Sequence, residues 1–333
     1  MTKIIYDLRK LKGINKKMYL GLNPKRKKVA TRSGFGDALA KIAKSNKRIY
    51  GLAADLTDST KMNQFASNFP DRFVQVGVAE QNLVTVASGI AAIGKIPFAA
   101  GYAAFMPGRC LEQIRTTICY NFQNVKLIAS HAGLTVGPDG ATHQALEDIA
   151  QVRTLPNMQV LNPSDYHQAK LATKAISKFK GPCYLRLSRN NSANLTTSKT
   201  PFAIGKANVL KYGADIAIIA TGQLVYQALI ASLILQEQGI NAMVVDNPSI
   251  KPLDKKTKLD VGKKCQKVVT VEEHQIAGGR GSVISEFLSE VYPIKILRIG
   301  VNDQFGESGE PEELLNHYGL DGKSISKKVL KFF

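Results

Sequence analysis

The chain has 333 residues, 44% hydrophobic and 21% charged, which excludes a disordered chain and allows two domains that each bury a core. Its formal net charge is +19, but the lysines are scattered, cluster only at Lys25 to Lys28 and Lys251 to Lys258, and have no aromatic residues between them, so a solvated basic surface is expected and not a nucleic-acid face. There is no apolar run of about eighteen residues and no signal-peptide pattern, because Asp7, Arg9, Lys10 and Lys12 interrupt the N-terminus; no membrane association and a cytoplasmic location are expected.

Residues 1–29 are basic and weakly periodic and read as an N-terminal arm before the first domain. From residue 30 the pattern is regular. Thr31 or Ser33 is placed to cap a helix running to Lys44, and Ile49 to Ala53 reads as a strand leading to Asp55 and Ser59. Phe73 to Val76 reads as a strand delivering Glu80, Leu83 to Ile93 as a helix closed by Gly94, and Ile96 to Ala100 as a strand followed by Tyr102, Phe105 and Arg109. Val125 to Ala129 has the apolar character of a buried strand, and from Gln144 the residues Ala145, Leu146, Ile149 and Val152 fall at helical spacing. Between them lie His131, Asp139 and His143 among three glycines, proton-handling groups on a backbone free to adopt unusual dihedrals. Met158 to Leu161 and Cys183 to Leu187 complete this set of strands, the last ending at Ser188 and Arg189.

Residues 191–201 are small, polar and interrupted by proline, as in a linker. A second alternating set follows: strands at Asp215 to Ala220, Ala242 to Val245, Val268 to Val271 and Ile294 to Ile299, with helices at Val225 to Gln238 and Gly281 to Val291. The expected fold class is therefore α/β, with two domains at 30–190 and 202–333, each a mostly parallel sheet with helices on both faces. In such sheets ligands bind outside the carboxyl ends of the strands. Asp55, Ser59, Glu80, Tyr102, Phe105, His131, Asp139, His143 and Arg189 all fall there. The glycines around Arg280 match no phosphate-binding pattern and read as a tight turn. Cys110, Cys119, Cys183 and Cys265 are too widely spaced for a zinc site or a disulfide framework, so buried thiols and no metal ligands are expected.

The run GVAEQN around Glu80, the segments YAAFMPGRCLEQIR and SHAGLTVGPDGATHQALED, and the pair Ser188-Arg189 together resemble the C-terminal half of transketolase, its pyrimidine-binding and C-terminal domains, from about Thr31 onward. The resemblance implies thiamine diphosphate as cofactor. Glu80 matches the glutamate that shares a proton with the aminopyrimidine ring, Tyr102 and Phe105 match aromatics that pack on that ring, and Asp55 matches a residue close to the thiamine. His131, Asp139 and His143 match residues that contact the sugar and assist proton transfer, and Arg189, Arg32 and Ser59 match the anchor of the sugar phosphate. Pro138, Gln81 and Asn82 depart from the commonest pattern without touching that chemistry.

The family's N-terminal half carries a Gly-Asp-Gly motif for Mg2+ and the diphosphate, and no Gly-Asp-Gly occurs here. The resemblance thus implies the second subunit of a split transketolase, active only with an N-terminal subunit that holds Mg2+, two of each. Its reaction would be transfer of a two-carbon ketol unit from a ketose phosphate such as xylulose 5-phosphate to an aldose phosphate in the pentose phosphate pathway. A deoxyxylulose phosphate synthase-like subunit is the alternative, disfavoured because that family has Asp-Arg where this chain has Ser130-His131. A non-catalytic regulatory half is disfavoured by the intact Glu80, His131, Asp139 and His143.

Overall fold

The apolar runs of the first half form β1 (Ile49–Ala53), β2 (Phe73–Gln75), β3 (Ile96–Tyr102), β4 (Lys126–Ser130), β5 (Gln159–Leu161) and β6 (Cys183–Arg186) in the computed structural model, which describes residues 6–23 and 25–333. The remaining positions, 1–5 and 24, belong to the arm read from the sequence and lie outside the described residues. These strands are parallel, in the order β5-β6-β4-β3-β1-β2. The helices between them are α1 (Thr31–Ser45), α2 (Asn63–Asn68), α3 (Glu80–Ala92), α4 (Leu111–Gln113, continuing as a π-helix over Ile114–Cys119), α5 (Asp148–Arg153) and α6 (Tyr166–Lys178). Helices α1 and α6 cover one face through Phe35, Leu39 and Ile176; α3, α4 and α5 cover the other through Leu83, Ile114 and Ile149. Burial on both faces is why these strands read as continuous apolar runs and not as alternating ones.

The second half repeats the scheme with β7 (Asn208–Lys211), β8 (Ile216–Ala220), α7 (Leu224–Glu237), β9 (Ala242–Asp246), β10 (Ser249–Lys251), α8 (Lys255–Cys265), β11 (Lys267–Gln275), α9 (Arg280–Val291), β12 (Lys295–Val301), α10 (Pro311–His317) and α11 (Gly322–Phe332). Its sheet runs β12-β11-β8-β9-β7, parallel except for β7. Helices α7 and α11 pack on one face and α8 and α9 on the other. The architecture is α/β, two mostly parallel sheets with helices on both faces. Among the described residues no helix is long and apolar enough to cross a membrane.

Several expectations are corrected. Strand β10 leaves the second sheet and joins the first, antiparallel to β5, with Ser249 opposite Leu161. Neither β10 nor β7 was legible, because each is a three- or four-residue edge strand too short to show a period. Neither Thr31 nor Ser33 caps α1: the N-cap is Ala30, and the Thr31 hydroxyl instead accepts from the Ser188 amide at 2.7 Å. Helix α3 starts at Glu80, earlier than Leu83. Helix α5 starts only at Asp148, because Gln144 donates to Leu134 O and Glu307 O and the Ala145 carbonyl accepts from Arg186, bonds that hold this stretch out of a helix. Residues 191–201 have no regular structure but are partly buried, with the amides of Leu195 and Thr196 donating to Asp165. The arm, for which no packing was expected, lies on the second sheet: Leu8 and Leu11 enter its core, and Asn15 N donates to Leu210 O.

Candidate functional site

The carboxyl ends of β1, β3, β4 and β6 bring most of the expected side chains to one edge. Glu80 is the first residue of α3, where the helix N-terminus favours a carboxylate, and it is only 5% exposed. Its Oε2 accepts from Arg109 Nη1 at 3.3 Å. Tyr102 closes β3, and the chain turns so that Phe105 N donates back to Tyr102 O. The Tyr102 ring stacks on His131, centroids 3.8 Å apart, and on Phe105 at 5.8 Å, while His143 meets Phe105 edge-on at 5.3 Å. Such offset and edge contacts are the preferred packings of flat rings.

His131 has φ +58, a left-handed conformation uncommon for a residue with a side chain, and here it turns the imidazole onto Tyr102. Its Nδ1 lies 2.8 Å from Ser130 Oγ and its Nε2 3.3 Å from Arg32 Nη1. A guanidinium can only donate, so Nε2 accepts and Nδ1 carries the proton, donated to Ser130. Burial, then the positive charges of Arg32 and Arg189, push the imidazole down to about 3, so it is neutral near pH 7. Lys61 adds to that effect, so three cations, Arg32, Lys61 and Arg189, act on one histidine.

Arg32, in the first turn of α1, donates to Ser59 O at 2.7 Å, and its Nε is buried without a hydrogen-bond partner. Arg189 donates to Val136 O at 2.6 Å and lies 4.0 Å from Asp139 Oδ1. Ser59 meets Arg32 through its backbone carbonyl and not its hydroxyl. His143 is half-buried, with Nδ1 2.9 Å from Thr142 Oγ1. Asp55 sits at the same edge with φ +57, but its amide is held by Gln75 Oε1 at 2.7 Å, and no bond links it to the aromatic stack.

Four positioning groups escaped the sequence reading. Gln75 holds Asp55, Ser130 orients His131, and Arg109 pairs with Glu80. The fourth, Glu273, comes from the other sheet: its buried carboxylate accepts from Thr135 N at 2.5 Å and from Gln223 Nε2 at 2.6 Å, pinning the loop that carries His131. The nearest signal was the Glu272-Glu273-His274 run in an otherwise apolar strand.

The glycine turn before α9 is closed by the chain itself. Glu272 accepts from the amides of Arg280 and Gly281 at 2.6 and 2.7 Å, filling the place an anion would take at that helix N-terminus. Among the described residues no three His, Cys, Asp or Glu side chains come together to hold a metal ion. All four cysteines are free and buried, and burial raises Cys110, beside Glu80, to about 12. A groove of about 510 Å3 between α1 and α6 contains none of the site residues.

The pyrimidine-binding domain of transketolase matches residues 27–194 and the C-terminal domain of transketolase matches residues 205–325. A Methanocaldococcus jannaschii protein named for a transketolase C-terminal section is 45% identical, over 90% of this chain and 95% of its own length. An apulose-4-phosphate transketolase subunit from Phocaeicola vulgatus is 37% identical, over 91% of this chain and 97% of its own. A solved structure of a split-gene transketolase, described as an inactive β4 tetramer, superposes with a TM-score of 0.85 at 44% identity, covering 91% of this chain and 98% of that one.

Proposed function

The chain belongs to the transketolase family, and from that premise we propose that it is the C-terminal subunit of a split transketolase, moving a two-carbon ketol unit from a ketose phosphate to an aldose phosphate. The observation that carries the reading is one sheet edge holding a buried carboxylate, Glu80, a Tyr102–Phe105 stack and two guanidinium groups, Arg32 and Arg189. Relatives named as a C-terminal section and as a transketolase subunit, alike over nearly their whole length, support a separate partner subunit.

The residues fit thiamine diphosphate on its pyrimidine side. A half-buried aromatic face at Phe105 suits a flat heterocycle, and the Glu80 carboxylate beside it suits a ring nitrogen that shares a proton. When bound, the cofactor supplies the carbon nucleophile for a sugar carbonyl. Glu80 holds the proton at the ring nitrogen, Phe105 and Tyr102 fix the ring plane, and Asp55 lines the same edge. Arg32 and Arg189 grip the sugar phosphate dianion, and the unpartnered Arg32 Nε is a donor ready for it. Asp139 and His143 contact the sugar hydroxyls, with His143 taking or giving a proton. His131, neutral and accepting from Arg32, acts as a hydrogen-bonding and orienting group and not as a proton carrier.

Mg2+ and the diphosphate are assigned to an N-terminal partner, in a complex of two of each subunit built on twofold symmetry. Xylulose 5-phosphate and the pentose phosphate pathway are the proposed donor and context, in the cytoplasm. The test mixes this chain with a subunit carrying the Gly-Asp-Gly motif and assays ketol transfer from xylulose 5-phosphate to an aldose phosphate with thiamine diphosphate and Mg2+. Transfer only in the mixture is the expected result; no transfer with any ketose phosphate donor would refute the reading.

A further inference from the structure

Arg109 stands in a position that the reaction scheme above does not use. Its guanidinium carbon lies 4.2 Å from the centroid of the Phe105 ring, and its Nη1 donates to Glu80 Oε2 at 3.3 Å. Among the described residues Glu80 is the only acidic partner of this side chain, and it is 5% exposed where the Arg109 side chain is 54% exposed. The backbone beneath is pinned twice: Arg109 N donates to Phe105 O at 3.1 Å, and Gln81 Nε2, from α3, donates to Arg109 O at 3.0 Å. The chain therefore holds the base of the side chain still while its head lies over a ring and against a carboxylate.

A guanidinium is flat, carries its N–H donors in its own plane, and stacks on aromatic faces. An aminopyrimidine is also flat, presents a protonatable ring nitrogen and an amino group in its plane, and stacks in the same way. Glu80 and Phe105 are two of the three groups assigned to that ring, with Tyr102, and Arg109 engages both at once. We propose that Arg109 is a built-in surrogate for the aminopyrimidine, a gate that covers the pyrimidine half-site and must swing aside for the cofactor to enter. This inference rests on the assignment of Glu80 and Phe105 to the cofactor ring.

The physical logic is one of exchange. Without a partner Glu80 would be a nearly buried charge with only the N-terminus of α3 to offset it, and Phe105 a half-buried ring facing water, both unfavourable. Arg109 relieves both. Because its own side chain is half exposed, the pair with Glu80 is weakened by solvent, and the head can leave for water at small cost. The cofactor then competes with a tethered side chain and not with water, so entry carries a modest penalty.

The experiment uses the complex of this chain with its complementary subunit and measures thiamine diphosphate binding, in the presence of Mg2+, by calorimetry and by stopped-flow association. Arg109→Ala should bind thiamine diphosphate about threefold to tenfold more tightly and associate faster, the range expected for losing a solvent-weakened charged hydrogen bond. Inorganic pyrophosphate, which lacks the ring, should bind both forms equally. Arg109→Gln, which removes the charge and keeps most of the length, gives the same reading should the alanine variant fail to assemble. Unchanged or weaker cofactor binding in these variants would overturn the gate. Phe105→Ala separates this from the parent assignment: it should weaken cofactor binding by about tenfold, and if it does not, the ring site itself is misassigned.

Discussion

The carboxyl edges of the two sheets are built alike and finished differently. Each has parallel strands leading into helix N-termini, with a carboxylate near the first turn: Glu80 at α3 in the first sheet, Glu272 before α9 in the second. In the second, Glu272 takes the two free amides of α9, and the buried Arg280 side chain donates to Ile219 O and Val271 O, so the edge is sealed. In the first, Glu80 leaves its own helix amides alone and pairs instead with Arg109, whose half-exposed head lies over the Phe105 ring. A helix N-terminus is therefore not a site in itself. It becomes one when the chain declines to fill it.

The largest effect should come from opening the sealed edge. Glu272→Ala strands two buried amides and removes the negative charge nearest Arg280, and should cost about 3–5 kcal/mol in chemical denaturation. A cost below about 1 kcal/mol would mean that this edge is not held by its carboxylate. Breaking the open edge should do the opposite. Glu80→Gln should leave stability nearly unchanged and lower kcat of the reconstituted enzyme by about 10²-fold, as expected when a proton-sharing group is lost. Near-native turnover would remove Glu80 from the chemistry.

A smaller effect sharpens the division within the open edge. Arg189→Ala should raise KM for phosphorylated donors by roughly 10- to 100-fold while barely affecting an unphosphorylated one, on the order of one charge-assisted bond. Equal losses with both donors would make Arg189 a support for Val136 and not a phosphate ligand. The smallest effect is on pH. His131 is lowered from 6.5 to about 3, so above pH 6.5 it is neutral whether the chain is folded or not, and its full contribution is present. As pH falls, the unfolded chain takes up a proton that the folded one refuses until about pH 3, so stability drops. Between pH 6.5 and about 5 this loss should reach about 1–2 kcal/mol, and His131→Asn should flatten the slope. An unchanged slope would mean that His131 titrates normally.

Much of this was legible because parallel strands buried on both faces are apolar runs, and the residues that follow them must gather at one edge. That places Glu80, Tyr102, Phe105, His131 and Arg189 at the edge from their spacing alone. What the sequence did not show was set by tertiary bonds with no local signature. The stretch from Gln144 reads as helix by its period, yet Gln144 and Ala145 bond to distant carbonyl and guanidinium groups. Arg109 is placed only as following the third strand, and nothing announces that its head returns to Glu80. Ser59 holds Arg32 through its backbone carbonyl, a bond that no residue pattern announces. Glu273 reaches the site from another sheet.

The central claim is that the open edge is half of a cofactor site. The most direct measurement is a calorimetric titration of thiamine diphosphate with Mg2+ into this chain alone and into its mixture with a subunit carrying the Gly-Asp-Gly motif. The account predicts weak or no binding to the chain alone and saturable binding, one cofactor per copy of this chain, in the mixture. Tight stoichiometric binding to the chain by itself would contradict it.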